Sequence, residues 1–491
     1  MGLVTPVDPV PVGKLGRVHF VGIGGAGMSG IARIMLARGV TVSGSDAAAS
    51  PQLDELAALG ARVCVGHRAG NLGSADTLVV STAIRPDNPE LAEGRRRGMA
   101  VLHRAAALAS VMLGSRGIAV AGTHGKTTTT SMITTVLRSC GAAPSYVIGG
   151  LLSATGLGAD QGSGPDFVAE ADESDGSFLM LAPDAAVITS IEADHLDNYG
   201  DLAAIEAAFA AFAGRISAGG LLVACADDHG ARSLAVRAAA ELPLRVRTYG
   251  ASPAADYQVT GVTARGMSTR LRVAMPAGSG AGPGQAGPEA GPGPGASRDL
   301  EIMVPGRHNA LNAAAAFALT VELGFAPGPV ARGLAAYRGA RRRMELKGEA
   351  DGVQVVDSYA HHPTELAADL AAARDIAPGG RVIAVFQPHL FSRTRIFAAD
   401  FGAALGLADE VIVLDIYAAR EDPEPGVTGA LVAAAVPGRA AQFLADMTAV
   451  PAAIAGLAKP GDLVLTMGAG DVTTLGPLII AALRQRAGGR R

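Results

Sequence analysis

Residues 117–141 limit the folds open to this chain more than any other stretch. An apolar run, Gly117-Ile118-Ala119-Val120-Ala121, is long enough for one buried strand. It leads straight into Gly122-Thr123-His124-Gly125-Lys126-Thr127-Thr128. Residues 129–140 then read as a helix, with Gly141 as its stop. A strand, a Gly-bearing turn, a Lys-Thr pair and a helix, in that order, form a phosphate-binding loop. The glycines let backbone N–H groups close on phosphate oxygens, and the helix N-terminus adds partial positive charge. Lys126 is placed to reach β- and γ-phosphates and the Thr127 hydroxyl to sit on Mg²⁺. Val120 stands where the common pattern has Gly, five residues before Gly125, so the loop is a shortened form. At a helix start the Lys126 ammonium is expected to face the surface.

With 491 residues the chain is too long for one core, and its length suggests about three domains. A formal net charge of −4 argues against a nucleic-acid-binding surface. Cys64, Cys140 and Cys225 match no metal or disulfide spacing, which fits a reducing cytoplasm. Residues 1–16 carry Pro and Asp where a signal peptide needs an apolar core, and no apolar run is long enough to insert in a membrane.

Ahead of the loop, a strand over 17–21 enters Gly22-Ile23-Gly24-Gly25-Ala26-Gly27 and a helix over 28–38. A second strand, over 40–43, leads to Ser45-Asp46, about 20 residues on. This G-x-G-x-x-G turn suits a dinucleotide or any other nucleotide diphosphate. The pattern continues with a helix over 52–59, strands over 62–65 and 77–80, and a helix over 89–97. Ser81, after the strand at 77–80, is a polar strand end where a ligand could sit. His103 and Arg104 close the domain, and Arg104 is either a partner for a diphosphate or a solvated arginine.

Behind the loop, a strand over 167–169 ends in Glu170-Ala171-Asp172-Glu173-Ser174-Asp175. Another, over 186–189, runs into Glu192-Ala193-Asp194-His195-Leu196-Asp197. Two parallel strands delivering acids beside a phosphate loop are the expected magnesium arrangement. Residues 276–298 are low-complexity, 13 of 23 being Gly or Pro, between two expected hairpin strands at 270–273 and 300–303. They read as an extended, disordered loop. Asn309 and Asn312 lie one turn apart at the start of an Ala-rich helix, as caps or as ligand contacts. From about residue 328 a third domain brings four strands, over 353–356, 382–386, 411–414 and 463–466, each ending in polar residues. That is a doubly wound sheet with polar groups at its carboxyl edge.

These stretches, in this order, resemble the Mur ligase family. The resemblance rests on 19–28, 122–127, 170–175, 192–197, 305–309, Arg342-Arg343, 357–365 and 386–389. It implies an α/β fold of three domains: a Rossmann-like UDP-sugar-binding domain (1–113), a central P-loop ATPase-type parallel-sheet domain (114–327), and a doubly wound, Rossmann-like amino-acid-binding domain (328–491). It implies an ATP-dependent, ADP-forming ligase of peptidoglycan precursor synthesis, joining L-alanine to the lactoyl carboxylate of UDP-N-acetylmuramate through an acyl phosphate. The cofactors implied are ATP and Mg²⁺, with two ions.

The roles follow residue by residue. Gly22, Gly24, Gly25, Ala26, Gly27, Asp46, Ser81 and Arg104 would bind the UDP-sugar. Gly122, Thr123, His124, Gly125, Lys126, Thr127 and Thr128 would hold ATP, with Asn309 and Asn312 on its adenine side and Arg342 and Asp357 reaching it as the third domain closes. Thr127 and Glu170 would bind one metal ion and His195 a second. Tyr359, His361, His389 and Arg393 would line the amino-acid and carboxylate site. Lys126, Glu170, His195, Arg342 and His361 are the expected catalytic residues. Two positions depart from the family pattern: Leu390, where Arg often follows the His, and Met344, where Phe is usual. The protein is expected in the cytoplasm as a monomer or weak homodimer acting on small molecules.

Three rivals remain at this point. One is a ligase of the same family that recycles a murein tripeptide. The second is a nicotinamide-dependent oxidoreductase using Gly22–Gly27, which leaves Lys126, Glu170 and His195 without a role. The third is a P-loop ATPase acting as a switch. One test needs the sequence alone. Residues 277–297 lack side chains able to pack, so replacing them with a short turn is expected to leave kcat largely unchanged. A large fall in kcat for the folded deletion variant would give the segment a further role.

Overall fold

The computed structural model describes residues 3–277, 296–419, 421–438 and 441–489, with the backbone alone at Asp197. By packing, the chain divides into two units. One comprises Met1–Thr260, Arg272–Leu300 and Leu311–Tyr337; the other comprises Gly261–Leu271, Glu301–Ala310 and Arg338–Arg491.

The first unit opens with β1 (Val18–Val21), α1 (Ala26–Ala37), β2 (Val42–Asp46), α2 (Pro51–Ala58), β3 (Arg62–Val65), β4 (Thr77–Val80), α3 (Pro89–Arg96), β5 (Ala100–His103) and α4 (Arg104–Met112). The strands form a parallel sheet in the order β3-β2-β1-β4-β5, which is Rossmann-like. The segment expected at 40–43 is shifted, because β2 runs through Ser43-Gly44-Ser45 to Asp46. Gly44 is needed there, since a Cβ would lie 2.7 Å from Ile23 Cβ. His103 and Arg104 do not end the domain. They join β5 to α4, whose residues 105–112 are all buried.

A second sheet, most of it in the same unit, is built around β6 (Arg116–Ala121). α5 (Lys126–Ser139) follows it, then β7 (Ser145–Val147), β8 (Ala159–Asp160), β9 (Asp166–Glu170), β10 (Ala185–Ile188), α6 (Leu196–Tyr199), α7 (Leu202–Ala213), β11 (Leu221–Cys225), α8 (His229–Glu241), β12 (Arg245–Gly250), β13 (Tyr257–Arg265), β14 (Ser268–Ala274) and β15 (Ser297–Ile302). The order is β15-β14-β13-β12-β11-β10-β6-β9-β7-β8. β6 therefore lies between β10 and β9, parallel to both. All three are buried on both faces, so they carry apolar runs rather than an alternating pattern. The two strands expected around the low-complexity segment are β14 and β15, neighbours in the sheet, and Met275 N–H donates to Ala296 O at 2.9 Å. Most of the loop expected at 276–298 lies outside the described residues; a deletion confined to 278–295 leaves that pair in place.

α9 (Arg307–Glu322) is the Ala-rich helix expected after 305, and α10 (Pro327–Ala335) packs on α5, where Gly333 lets the helix backbones approach. The second unit is organised by β16 (Glu345–Ala350), β17 (Val353–Ser358), α11 (Pro363–Ile376), β18 (Val382–Phe386), α12 (Phe391–Leu405), β19 (Glu410–Leu414), α13 (Gly429–Ala435), β20 (Gln442–Leu444), α14 (Val450–Leu457), β21 (Leu463–Met467) and α15 (Leu475–Gly489). Its sheet order is β16-β17-β21-β18-β19-β20, parallel except for the antiparallel edge strand β16. An apolar core covers each face. One contains Val356, Leu370, Phe386 and Phe401; the other contains Val355, Val385, Ile454 and Ile479. Met344, the departure from family pattern, is a buried member of the first core. Among the described residues, no helix is long and apolar enough to cross a membrane.

Candidate active site

In the first unit every expected site residue but Asn312, which lies within α9, falls at or just beyond the carboxyl end of a parallel strand, or at the start of the helix that follows. In the turn after β1, Gly22 has φ 80°. The N–H groups of Gly22 and Ile23 both donate to Ser45 O, at 2.8 and 2.9 Å. Gly24 N–H donates to Asp46 Oδ2 at 2.9 Å, so Asp46 braces the turn itself. Gly25 caps α1, Ala26 and Gly27 open it, and a Cβ on Gly27 would lie 3.5 Å from Arg104 Nη1. Ser81 follows β4 and is partly exposed. Arg104 is not solvated on its own: its Nη2 pairs with Asp172 Oδ2, at the end of β9. Desolvation opposes the charged form, yet Arg104 and Lys126 hold the Asp172 carboxyl well below the usual carboxylate range.

The phosphate loop closes on its neighbours through its own backbone. Gly122 has φ 134°, and a Cβ there would collide with Thr189 Oγ1. Thr189 Oγ1 donates to His124 O at 2.5 Å, and Thr123 N–H to Ser190 O at 2.9 Å. Thr123 Oγ1 accepts from Glu192 N–H at 2.9 Å. His124 Nε2 lies 3.6 Å from Glu192 Oε2. Gly125, at φ 81°, abuts Asn312, whose Oδ1 also accepts from Thr129 Oγ1 at 3.2 Å. Thr128 is buried in the first turn of α5.

The surface-facing ammonium expected of Lys126 is not what the structure holds. Its Nζ donates to Gly122 O at 2.7 Å, to Thr123 O at 3.2 Å and to Glu173 Oε1 at 2.8 Å, and only 15% of the side chain is exposed. Burial alone would lower the Lys126 pKa, but Glu173, Asp172 and Glu170 together raise it. Burial pushes the Glu173 carboxyl up, to about 7, against the pull of Lys126. Tyr199 on α6 fixes this acidic segment by donating its hydroxyl to Glu173 O at 2.5 Å.

Glu170 Oε1 accepts from Thr127 Oγ1 at 3.2 Å and Oε2 from Gly149 N–H at 2.9 Å. A Cβ at 149 would lie 2.8 Å from that Oε2, so the glycine makes room for the carboxylate. A hydroxyl and a carboxylate side by side are the all-oxygen donor set that magnesium takes, and these residues fit the ion. His195 caps α6 at φ 53°, with Nε2 3.6 Å from Asp194 Oδ2.

In the second unit, Arg342 Nη2 donates to Gly468 O at 2.5 Å, its Nε lies 3.5 Å from Asp357 Oδ2, and its guanidinium lies over Tyr359 at 4.9 Å. Asp357 also accepts from Thr466 and Thr473 hydroxyls, at 2.8 and 2.6 Å. His361 and His389 rings lie 6.0 Å apart, and His389 stacks on Tyr417. Arg393 is buried in the first turn of α12. Leu390 caps that helix at φ 70°, a backbone region unusual for a Leu, and is buried. Asn309 Nδ2 donates to Pro305 O at 2.7 Å, so this side chain also secures the helix start.

Sequence reasoning named none of Glu173, Tyr199 or Gly149 for these roles. Glu173 stood within a recognised acidic run, but its pairing with a lysine 47 positions earlier is a tertiary contact.

The family model described as Mur ligase family, catalytic domain, matches residues 17–116. The Mur ligase middle domain matches 120–320, and the Mur ligase, glutamate ligase domain matches 342–470. The chain is 56% identical over 491 residues to the UDP-N-acetylmuramate--L-alanine ligase of Thermobifida fusca, covering 98% of this chain and 100% of that protein. It is 57% identical over 482 residues to the same-named ligase of Kineococcus radiotolerans, with 97% and 98% covered. The crystal structure of UDP-N-acetylmuramate-alanine ligase from Thermotoga maritima matches with TM-score 0.78 at 28% identity, over 97% of this chain and 100% of that one.

The Lys126–Glu173 pair generates a stability prediction. Lys126→Ala strands a buried carboxyl and frees two loop carbonyls, at a cost of about 1–3 kcal/mol. Turnover is expected to vanish and Tm to fall; adding Glu173→Gln is expected to recover Tm without activity. A Lys126→Ala protein with unchanged Tm, or with near-normal turnover, would contradict this account of the loop.

Proposed function

Since the chain belongs to the Mur ligase family, we propose that it joins L-alanine to the lactoyl carboxylate of UDP-N-acetylmuramate at the expense of ATP. A carboxylate oxygen attacks the γ-phosphorus, ADP leaves, and the acyl phosphate forms. The alanine amine then attacks the acyl carbon, the C–N bond forms, and inorganic phosphate departs. The observation that carries this reading is Lys126 in a glycine loop between two strands that deliver Glu170 and His195.

Lys126 keeps its bonds to the Gly122 and Thr123 carbonyls and exchanges Glu173 for phosphate oxygens, offsetting the charge that repels an anionic carboxylate. Thr127 and Glu170 would hold Mg²⁺, with a second ion at His195. Bound there, the metal supplies further neutralisation of phosphate charge. The turn Gly22–Gly27, with Asp46, Ser81 and Arg104, receives the UDP-sugar. Asn309 and Asn312 serve the adenine side of the nucleotide, and Arg342 and Asp357 its phosphates. Tyr359, His361, His389 and Arg393 serve the amino acid and carboxylate.

Three sheets and three family-model matches support three domains, with the first boundary near 113/114; the second lies beyond α10, which packs on α5 in the first unit, rather than at 327/328. We place the enzyme in the cytoplasm, as a monomer or weak homodimer, in the synthesis of peptidoglycan precursors for cell-wall growth, shape and division. The alternative, a ligase that recycles a murein tripeptide, is weighed down by the relatives at 56% and 57% identity.

Product analysis separates the two. With ATP and UDP-N-acetylmuramate, L-alanine is expected to give the amide, ADP and phosphate at a kcat/KM at least about a hundredfold above that with a murein tripeptide, a difference of ~2.7 kcal/mol in transition-state binding. Preference for the tripeptide would overturn the assignment.

A further inference from the structure

In the second unit α11 begins at Pro363, with His362 as its cap and Glu365 in its first turn. Glu365 reaches back over the cap. Its Oε2 accepts the backbone N–H of His361 at 3.0 Å and lies 3.4 Å from that residue's ring Nδ1. The same Nδ1 is 3.0 Å from Tyr359 O. A carbonyl oxygen only accepts, so a hydrogen bond there requires Nδ1 to carry the proton. In the neutral ring the lone pair then sits on Nε2. The ring itself is held edge-on to Tyr359 and to His389, with centroids at 5.3 and 6.0 Å.

We propose that Glu365 is a positioning residue for the amine step: it holds His361 in the Nδ1–H form, so that Nε2 takes the proton from the alanine ammonium. This rests on the function proposed above. Alanine arrives as an ammonium ion, which has no lone pair with which to attack. One N–H proton passes to Nε2, and the ring becomes an imidazolium beside the Glu365 carboxylate. The freed amine forms the C–N bond as the C–O bond to phosphate breaks, and the ring later returns its proton to water. Glu365 touches no reacting atom in this scheme. Its effect passes through the backbone and ring of His361, as outer carboxylates orient histidines elsewhere.

The test compares two nucleophiles on the holoenzyme with ATP, Mg²⁺ and UDP-N-acetylmuramate. L-Alanine must lose a proton; hydroxylamine is uncharged near neutral pH and traps an acyl phosphate as a hydroxamate without a base. For Glu365→Ala and His361→Ala, kcat/KM for L-alanine is expected to fall by about 10²-fold, within the usual range for general-base loss, and in Glu365→Ala, which removes no group that touches substrate, hydroxamate formation stays within about threefold of wild type. Glu365→Gln retains an oxygen that can accept the His361 N–H, and it is expected to restore at least about tenfold of the loss. Equal losses with both nucleophiles, unchanged alanine turnover in Glu365→Ala, or a Gln variant as poor as the Ala variant would each overturn the proposal. If Glu365→Ala fails to fold, the Gln variant and His361→Ala decide the matter: alanine turnover at wild-type level in both overturns it. A wild-type enzyme that makes no hydroxamate would instead overturn the acyl-phosphate reading.

Discussion

A single ammonium, that of Lys126, lies among two backbone carbonyls and a buried carboxylate, and the geometry of the first unit's site depends on that arrangement. Two of the loop's N–H groups, those of Thr123 and His124, are spent on Ser190. The loop is also fastened by its carbonyls to Lys126, by Thr189 to the end of β10, and by Gly122, where no side chain can be tolerated. Glu173 supplies the anionic partner of Lys126, and on the function proposed above a phosphate takes its place without leaving Lys126 buried and unpaired. The neighbouring acids divide the work. Asp172 pairs with Arg104 beside the first glycine turn, and Glu170 faces Thr127.

The second unit is built on a parallel sheet of different strand order. Its parallel strands β17, β18 and β21 end in Asp357, in the Gln387–His389 segment and in Gly468. There the polar groups are locked by both side chains and backbone: Asp357 by two threonines, Arg342 by the Gly468 carbonyl, and His361 by Glu365 and the Tyr359 carbonyl. On the function proposed above, side chains that hold a small, zwitterionic amino acid gain from this rigidity, because each fixed rotamer is one less to order on binding.

Much of this was legible because buried parallel strands write continuous apolar runs. β4 and β18 lie where the pattern put them, and Lys126 opens the helix that follows its loop. β2 was displaced because Ser43-Gly44-Ser45-Asp46 has poor strand propensity, and what makes it a strand is pairing with β1 and β3 on either side. β5 and α4 went unread because His103 and Arg104 look like a polar domain edge, whereas the Ala-rich run after them is a buried helix. The burial of Lys126 could not be read, since its partner Glu173 comes from the end of another strand. Glu365 was within reach: Pro at the first helical position with Glu two residues later is a helix-start signature. What the sequence lacked was the fact that this Glu reaches one residue beyond the cap, to His361.

The central claim is that γ-phosphate transfer to the lactoyl carboxylate precedes amide formation. Ligation with ¹⁸O-labelled lactoyl carboxylate, followed by mass analysis of the released phosphate, tests it most directly. One label is expected to reach inorganic phosphate per turnover, with ADP as the nucleotide product. Unlabelled phosphate, or AMP and pyrophosphate in place of ADP and phosphate, would contradict it.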